Sequence, residues 1–113
     1  MHEMSLAENI VQLIEEAARQ QSFTIVKTVW LEIGQLACVE QASLRFYFDV
    51  VTQGSIAYQA KLEIIEIAGQ AICKECKLKI PIASYYEVCP HCRCCNWQIT
   101  AGDCMRIKEL EVA

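Results

Sequence analysis

Histidine is scarce in this 113-residue chain and occurs only at His2 and His91. With no other imidazole to act as a base and no glycine-rich phosphate loop, acid–base and phosphoryl-transfer enzymes fit poorly. Long apolar runs are missing as well. Mean hydropathy is positive, yet charges interrupt every apolar stretch before the roughly 18 residues a membrane helix requires. The opening MHEM has neither a basic n-region nor an apolar h-region, so it does not read as a secretory signal. Cations are in deficit: 10 Lys+Arg stand against 14 Asp+Glu, and the net charge of −4 argues against a general nucleic-acid binder. There is no internal repeat, low-complexity tract or Gly/Ser-rich linker. What remains is 54% apolar, enough for one ordinary domain, or a small domain carrying a smaller module.

Cysteine is abundant. Of eight, six (Cys73, Cys76, Cys89, Cys92, Cys94 and Cys95) fall within 23 residues, while Cys38 and Cys104 stand alone. Such a count fits either a disulfide framework or a metal site in a reduced compartment. The unexported start favours the metal site and a cytoplasmic protein.

Periodicity organises the rest. Ser5 and Glu8 have capping-box spacing, and Leu6, Ile10, Leu13, Ile14 and Ala17 follow at helical intervals, predicting a helix over about 6–20 with Met1 to Met4 as a free arm. Residues 23–33 are β-rich, with Ile25, Val29, Leu31 and Ile33 expected on one face and Gly34 ending the strand. A second helix, about 41–53, stacks Leu44, Tyr47, Phe48 and Val51, with Gly54 as its C′ residue. Strands are expected over 60–68 and 104–112, and both shift hydrophobic phase. If Ala68 pairs with Met105, the shifts fall at one level of an antiparallel ladder. The sum is an α+β fold: a small mixed or antiparallel three-stranded sheet with two helices, plus an inserted four-cysteine, zinc-ribbon-like module. The expected division is 1–69 with 104–113 as one domain and 70–103 as the insertion.

Cys73-Lys-Glu-Cys76 and Cys89-Pro-His-Cys92 form two C-x2-C pairs separated by twelve residues. Each pair can close on one metal from a tight turn, and two pairs complete a tetrahedron with no open position, which makes the site structural. A module this small depends on its metal for folding. Zinc is the expected ion, although iron also suits four thiolates. The second knuckle runs into Arg93-Cys94-Cys95, where a small residue such as Gly is usual. Regular spacing selects Cys92 over Cys94 or Cys95, and His91 is expected to point outward.

The amino terminus offers a different chemistry. A bulky residue 2 should leave Met1 in place, and the α-amine, the His2 amide nitrogen and the His2 imidazole can then form fused chelate rings suited to Ni²⁺ or Cu²⁺. The Glu3 amide or carboxylate can add a further ligand.

MHEMSLAENI, LEIGQL, ASLRFYFDVV, the paired cysteine motifs and the closing GDCMRIKELEV occur in the order seen in a known family. Across essentially the whole chain the sequence resembles HypA/HybF, the hydrogenase maturation nickel metallochaperones. The resemblance implies nickel at Met1, His2 and Glu3, and structural zinc at Cys73, Cys76, Cys89 and Cys92. It implies no enzymatic activity of its own, a HypB-type GTPase partner, and delivery of nickel to the [NiFe] hydrogenase large subunit, with urease served in some organisms. A monomer or homodimer is expected, with neither nucleic acid nor membrane as partner. Glu40 stands where the family often has an acid near the nickel end; an acidic residue opening the second helix is the competing role. The other reading of the cysteines is a zinc-ribbon interaction module in transcription or translation. Lys74, Lys77, Lys79 and Arg93 would then make contact, with Tyr85, Tyr86 or Trp97 stacking. Packing around the metal is the expected role of those aromatics.

Overall fold

The computed structural model describes residues 3–113. In chain order its elements are α1 (Glu3–Gln21), β1 (Val26–Gly34), a short 3-10 turn (Gln35–Ala37), α2 (Gln41–Val51), β2 (Lys61–Ile67), β3 (Gln70–Cys73), β4 (Lys79–Pro81), β5 (Trp97–Ala101) and β6 (Met105–Val112). Two three-stranded sheets result, ordered β2-β1-β6 and β4-β3-β5. The fold is α+β, as the alternating periodicities require.

The chain divides into two compact units. The first holds the residues up to Leu31, Val39–Ile64 and Ile107–Ala113. Here α1 packs on α2, because each turns a narrow apolar stripe inward: Ala7, Ile10, Val11 and Ile14 from one, Leu44 and Phe48 from the other. Val26, Val29 and Leu31 of β1 are buried in the same unit. Thr28 is buried too, its hydroxyl satisfied by the Glu111 carboxylate at 2.7 Å.

The second unit holds Glu32–Cys38 and Ile65–Arg106, so it reaches beyond the cysteine-rich stretch on both sides and takes in the turn after β1. β3 lies between β4 and β5, antiparallel to both, with Ala71 opposite Ile80 and Ile99. Leu36, Ala71 and Ile82 form its core, flanked by Ile80, Trp97 and Ile99. Residues 34–36 are laced to 102–104 by Gly34 N donating to Cys104 O at 2.8 Å and Leu36 N to Gly102 O at 2.7 Å. A Cβ on Gly34 would stand 2.1 Å from Gly102 O, so this crossing needs glycine.

Four expectations are corrected. Glu3 and Met4 are helical, not part of a free arm, and Ser5 lies inside α1 instead of capping it. An acid in the first turn suits the positive helix end. Ile25 lies outside β1 and is exposed. α2 ends at Val51 with Thr52 as C-cap, its hydroxyl donating to Phe48 O at 2.7 Å, so Gly54 (φ 78°) falls one position beyond C′. Finally, β1 lies between β2 and β6, which removes the proposed Ala68–Met105 ladder. The one register shift seen between paired strands of the second sheet lies at Gln70/Ala71 instead.

Candidate metal centre

Two turns of identical build carry the paired cysteines. In the first, Lys77 N donates to Cys73 O (2.8 Å) and Cys73 N to Leu78 O (2.9 Å); in the second, Arg93 N donates to Cys89 O (2.8 Å) and Cys89 N to Cys94 O (2.7 Å). Closing such a turn requires a left-handed residue just after the second cysteine, and Lys77 (φ 65°) and Arg93 (φ 64°) both supply it. Residues 73–78 and 89–94 are thus equivalent, and Cys94 occupies the place of Leu78. That is why CPHC tolerates Arg-Cys after it.

The turns bring four sulfurs together. Sγ of Cys73 and Cys92 are 3.4 Å apart, those of Cys76 and Cys89 3.6 Å, and all four lie within 4.8 Å of one another. Four thiolates about 2.3 Å from a tetrahedral ion would sit about 3.8 Å apart, so the set is already close to the size of a four-thiolate centre. Cys73 and Cys89 are fully buried, Cys76 and Cys92 partly so.

Backbone amides prepare the sulfurs for ionisation. The Cys92 amide, aided by that of His91, draws the Cys89 thiol down to about 6 against the effect of burial. The Cys76 amide does the same for Cys73, whose pKa is lowered. Cys76 and Cys92 receive the Leu78 and Cys94 amides, but burial and the neighbouring sulfurs outweigh them and both pKa values rise. Four crowded sulfurs cannot all ionise alone; a cation among them removes the conflict. The donor set therefore fits a thiophilic, tetrahedral divalent ion.

No other converging set of three or more His, Cys, Asp or Glu ligands exists among the described residues. Cys38, Cys95 and Cys104 are exposed, and Cys94 is half-buried outside the cluster. A small cavity in the second unit is lined by Glu32, Ile67, Gly102, Cys104 and Arg106. There Arg106 pairs with Glu32, and the Asp103 carboxylate raises the Cys104 pKa, which leaves no activated nucleophile.

Comparison with known proteins follows the same lines. A family model described as hydrogenase/urease nickel incorporation, metallochaperone, HypA matches residues 1–112. The chain belongs to the HypA family. Hydrogenase maturation factors HypA from Azotobacter chroococcum and Azotobacter vinelandii are 55% and 54% identical to it over 112 residues, covering 99% of each chain. Among solved structures, the Ni metallochaperone HypA of Helicobacter pylori has a similar fold, with a TM-score of 0.75 and 27% identity across 99% of this chain and 97% of that one. HypA proteins are maturation factors and metallochaperones, not enzymes.

Within this HypA-family chain, Met1 and His2 of the expected nickel set lie outside the described residues, and Glu3 opens α1. Glu40 is the N-cap of α2. Its carboxylate accepts the Ser43 amide at 2.5 Å, and that bond holds its pKa below the usual range. His91 is exposed, as expected. Trp97 packs against the Leu36, Ala71 and Ile82 core and donates Nε1–H to Glu87 O at 2.8 Å, whereas Tyr86, at 91% exposure, stands in solvent and Tyr85 is 44% exposed. No described helix is long and apolar enough to cross a membrane. Sequence reasoning missed the structural roles of Lys77, Arg93 and Glu87. The repeated C-x2-C pattern, followed each time by Lys or Arg, was the available signal for the first two.

Proposed function

We propose that this chain carries Ni²⁺ at its amino terminus on Met1, His2 and Glu3 and delivers it during [NiFe] hydrogenase maturation, with urease a second client in some organisms. Cys73, Cys76, Cys89 and Cys92 hold a structural Zn²⁺. In functional terms we assign nickel to residues 1–69 with 104–113 and zinc to 70–103, the compact unit around the cysteine turns reaching further, to Glu32–Cys38 and Ile65–Arg106. A HypB-type GTPase and the hydrogenase large subunit are the partners, and the cytoplasm is the setting. The observation that carries the proposal is the family match over residues 1–112 to nickel-incorporation metallochaperones. The start of α1 supports it physically. The first four amides of a helix have no intrahelical acceptor, so the Glu3 amide gives up no helix bond if nickel displaces its proton. The positive helix end disfavours a cation, and the Glu3 carboxylate offsets that cost.

Calorimetric titration of Ni²⁺ into native protein, a variant with one Gly ahead of Met1, and His2→Ala tests the assignment. Both changes should weaken nickel binding severely while bound zinc stays at one per chain. An unchanged affinity in the Gly-extended protein would remove the α-amine from the site. Affinity should also fall steeply with acid, because an amine near ~8 and an imidazole near ~6.5 must both lose protons to bind.

A further inference from the structure

Solvent reaches the four clustered sulfurs unequally. Cys73 and Cys89 are fully buried, whereas Cys76 and Cys92 are partly exposed. A reagent arriving from water therefore meets the second cysteine of each turn first. Those two sulfurs are alike in their backbone surroundings, since each accepts an amide from two residues on: Leu78 for Cys76, Cys94 for Cys92. The likeness ends at the side chain that follows the amide. In the first turn it is leucine, and in the second it is a thiol.

Both backbone groups of Cys94 hold it in place. Its carbonyl accepts the Cys89 amide at 2.7 Å, and its own amide donates to Cys92 Sγ. The Cys94 thiol is three bonds from that nitrogen, so rotation about Cα–Cβ alone carries it toward the same sulfur. At rest it is half-buried and outside the four-sulfur cluster, which leaves it without an ion to hold. A spare thiol fixed beside a solvent-reachable sulfur is what a resolving cysteine requires.

We propose that Cys92 and Cys94 form a site of reversible oxidation by hydroperoxides, and that the disulfide joining them releases the ion. The proposal rests on Cys73, Cys76, Cys89 and Cys92 holding Zn²⁺. The Cys92 thiolate attacks the peroxide and keeps one oxygen as sulfenic acid, hydroxide departs, and the sulfur leaves the ion. The Cys94 thiol then displaces hydroxide from that sulfur, and its proton departs with the hydroxide as water. One thiolate, one thiol and one hydrogen peroxide thus become a disulfide, one water and one hydroxide. Cys73, with Sγ 3.4 Å from that of Cys92, is nearer at rest. As ligands, however, Cys73 and Cys89 would each have to give up a bond to the ion, and Cys94 gives up none. With three thiolates left the ion is held less tightly, and the unit that folds around it loosens. A small-molecule thiol reverses the step, becoming a disulfide itself while Cys92 and Cys94 return as thiols.

Hydrogen peroxide in limiting amount, added to zinc-loaded full-length protein, provides the test. Released zinc is read with a chromophoric indicator, and the disulfide is mapped by mass spectrometry after the free thiols are alkylated. Trypsin cuts after Arg93, so a bond between Cys92 and Cys94 joins two peptides. That product should accompany zinc release and should persist in Cys95→Ser; dithiothreitol should abolish it and restore zinc binding. Cys94→Leu copies the first turn and should hold zinc before oxidation. Lacking the resolving thiol, it should recover several-fold less zinc binding after dithiothreitol, because its sulfenic acid proceeds to irreversible products. Cys94→Ser serves in its place should the larger side chain prevent zinc loading. Leu78→Cys should gain a second bond, between Cys76 and the introduced thiol. A main product joining Cys92 to Cys73, Cys89 or Cys95, zinc release without a disulfide, or full recovery in Cys94→Leu would each overturn the proposal. Less than one zinc per chain before peroxide would instead fail the zinc assignment, and mapping would still score the Cys92–Cys94 bond.

Discussion

Lys77 and Arg93 should each be better as glycine. A side chain in the left-handed region costs about 1–2 kcal/mol, and both residues sit there, at φ 65° and 64°. Glycine removes that cost but gives back about 0.5–1 kcal/mol through the freedom it adds to the unfolded chain. The net gain is then roughly 0.5–1 kcal/mol per turn. Because a module this small folds with its metal, the gain should appear as tighter zinc binding, about 2- to 5-fold for Lys77→Gly or Arg93→Gly. The two turns are separate hydrogen-bonded units, so the double variant should approach the product, on the order of 5- to 25-fold. Competition against a chromophoric zinc chelator at neutral pH measures it. Lys77→Ala supplies the control, since it removes the same charge yet keeps a Cβ in the left-handed region, and it should gain nothing. If Lys77→Ala matches Lys77→Gly, charge and not backbone conformation governs the effect. If one turn responds and the other does not, their equivalence is wrong.

Phe48 is 1% exposed, and Phe48→Ala should cost about 3–5 kcal/mol, lowering the thermal midpoint by more than about 10 °C in a calorimetric scan. Gly34→Ala drives a methyl group to within 2.1 Å of the Gly102 carbonyl; since backbone must move, a loss of about 3 kcal/mol or more is expected in urea unfolding, whereas Gly54→Ala meets no atom within 4 Å and pays only for its φ of 78°. Replacing Cys94 and Cys95 together by Ser should leave one zinc per chain by atomic absorption, because their sulfurs lie outside the four-sulfur cluster, while Cys92→Ser should lose it; the reverse pattern would reassign the fourth ligand.

Legibility followed the strength of the local pattern. The stripe of Leu44 and Phe48 in α2 and the alternation of Val29, Leu31 and Ile33 in β1 are both buried as their spacing demanded. The cysteine cluster was readable because a two-residue gap between thiols admits little besides a tight chelating turn. The strands of the second sheet, three to five residues long, are too short to show a period of two. The start of α1 was misplaced because Ser5 and Glu8 carry the pattern of a cap, yet nothing in Met4 or Glu3 opposes helix, and the helix ran through. Strand order was not readable at all: β1 separates β2 from β6, and chain order alone does not say which of three strands takes the centre. Tyr86 was misjudged for a different reason. Composition favours burying an aromatic, and nothing in the local sequence showed that this side chain would stand 91% exposed.

The two proposed metal environments differ in the property a carrier must separate, which is ease of release. In the cysteine centre, exchange means breaking four metal–sulfur bonds in turns that also supply much of the order of their unit: the same residues that bear the sulfurs close the turns through Lys77 and Arg93 and lead into β4 and β5. Losing an ion from there would cost structure, so an ion held by the four sulfurs would stay. At the amino terminus the reverse holds. Of the proposed nickel ligands Glu3 alone belongs to a described element, and it stands in the first turn of α1, where its amide has no helix bond to lose. Releasing nickel from the proposed set would leave the helix intact, since α1 is anchored through buried Ala7, Ile10, Val11 and Ile14 and not through its first residue. A site that contributes nothing to folding can be emptied without unfolding anything, and a carrier that must survive each delivery needs its cargo held in that way.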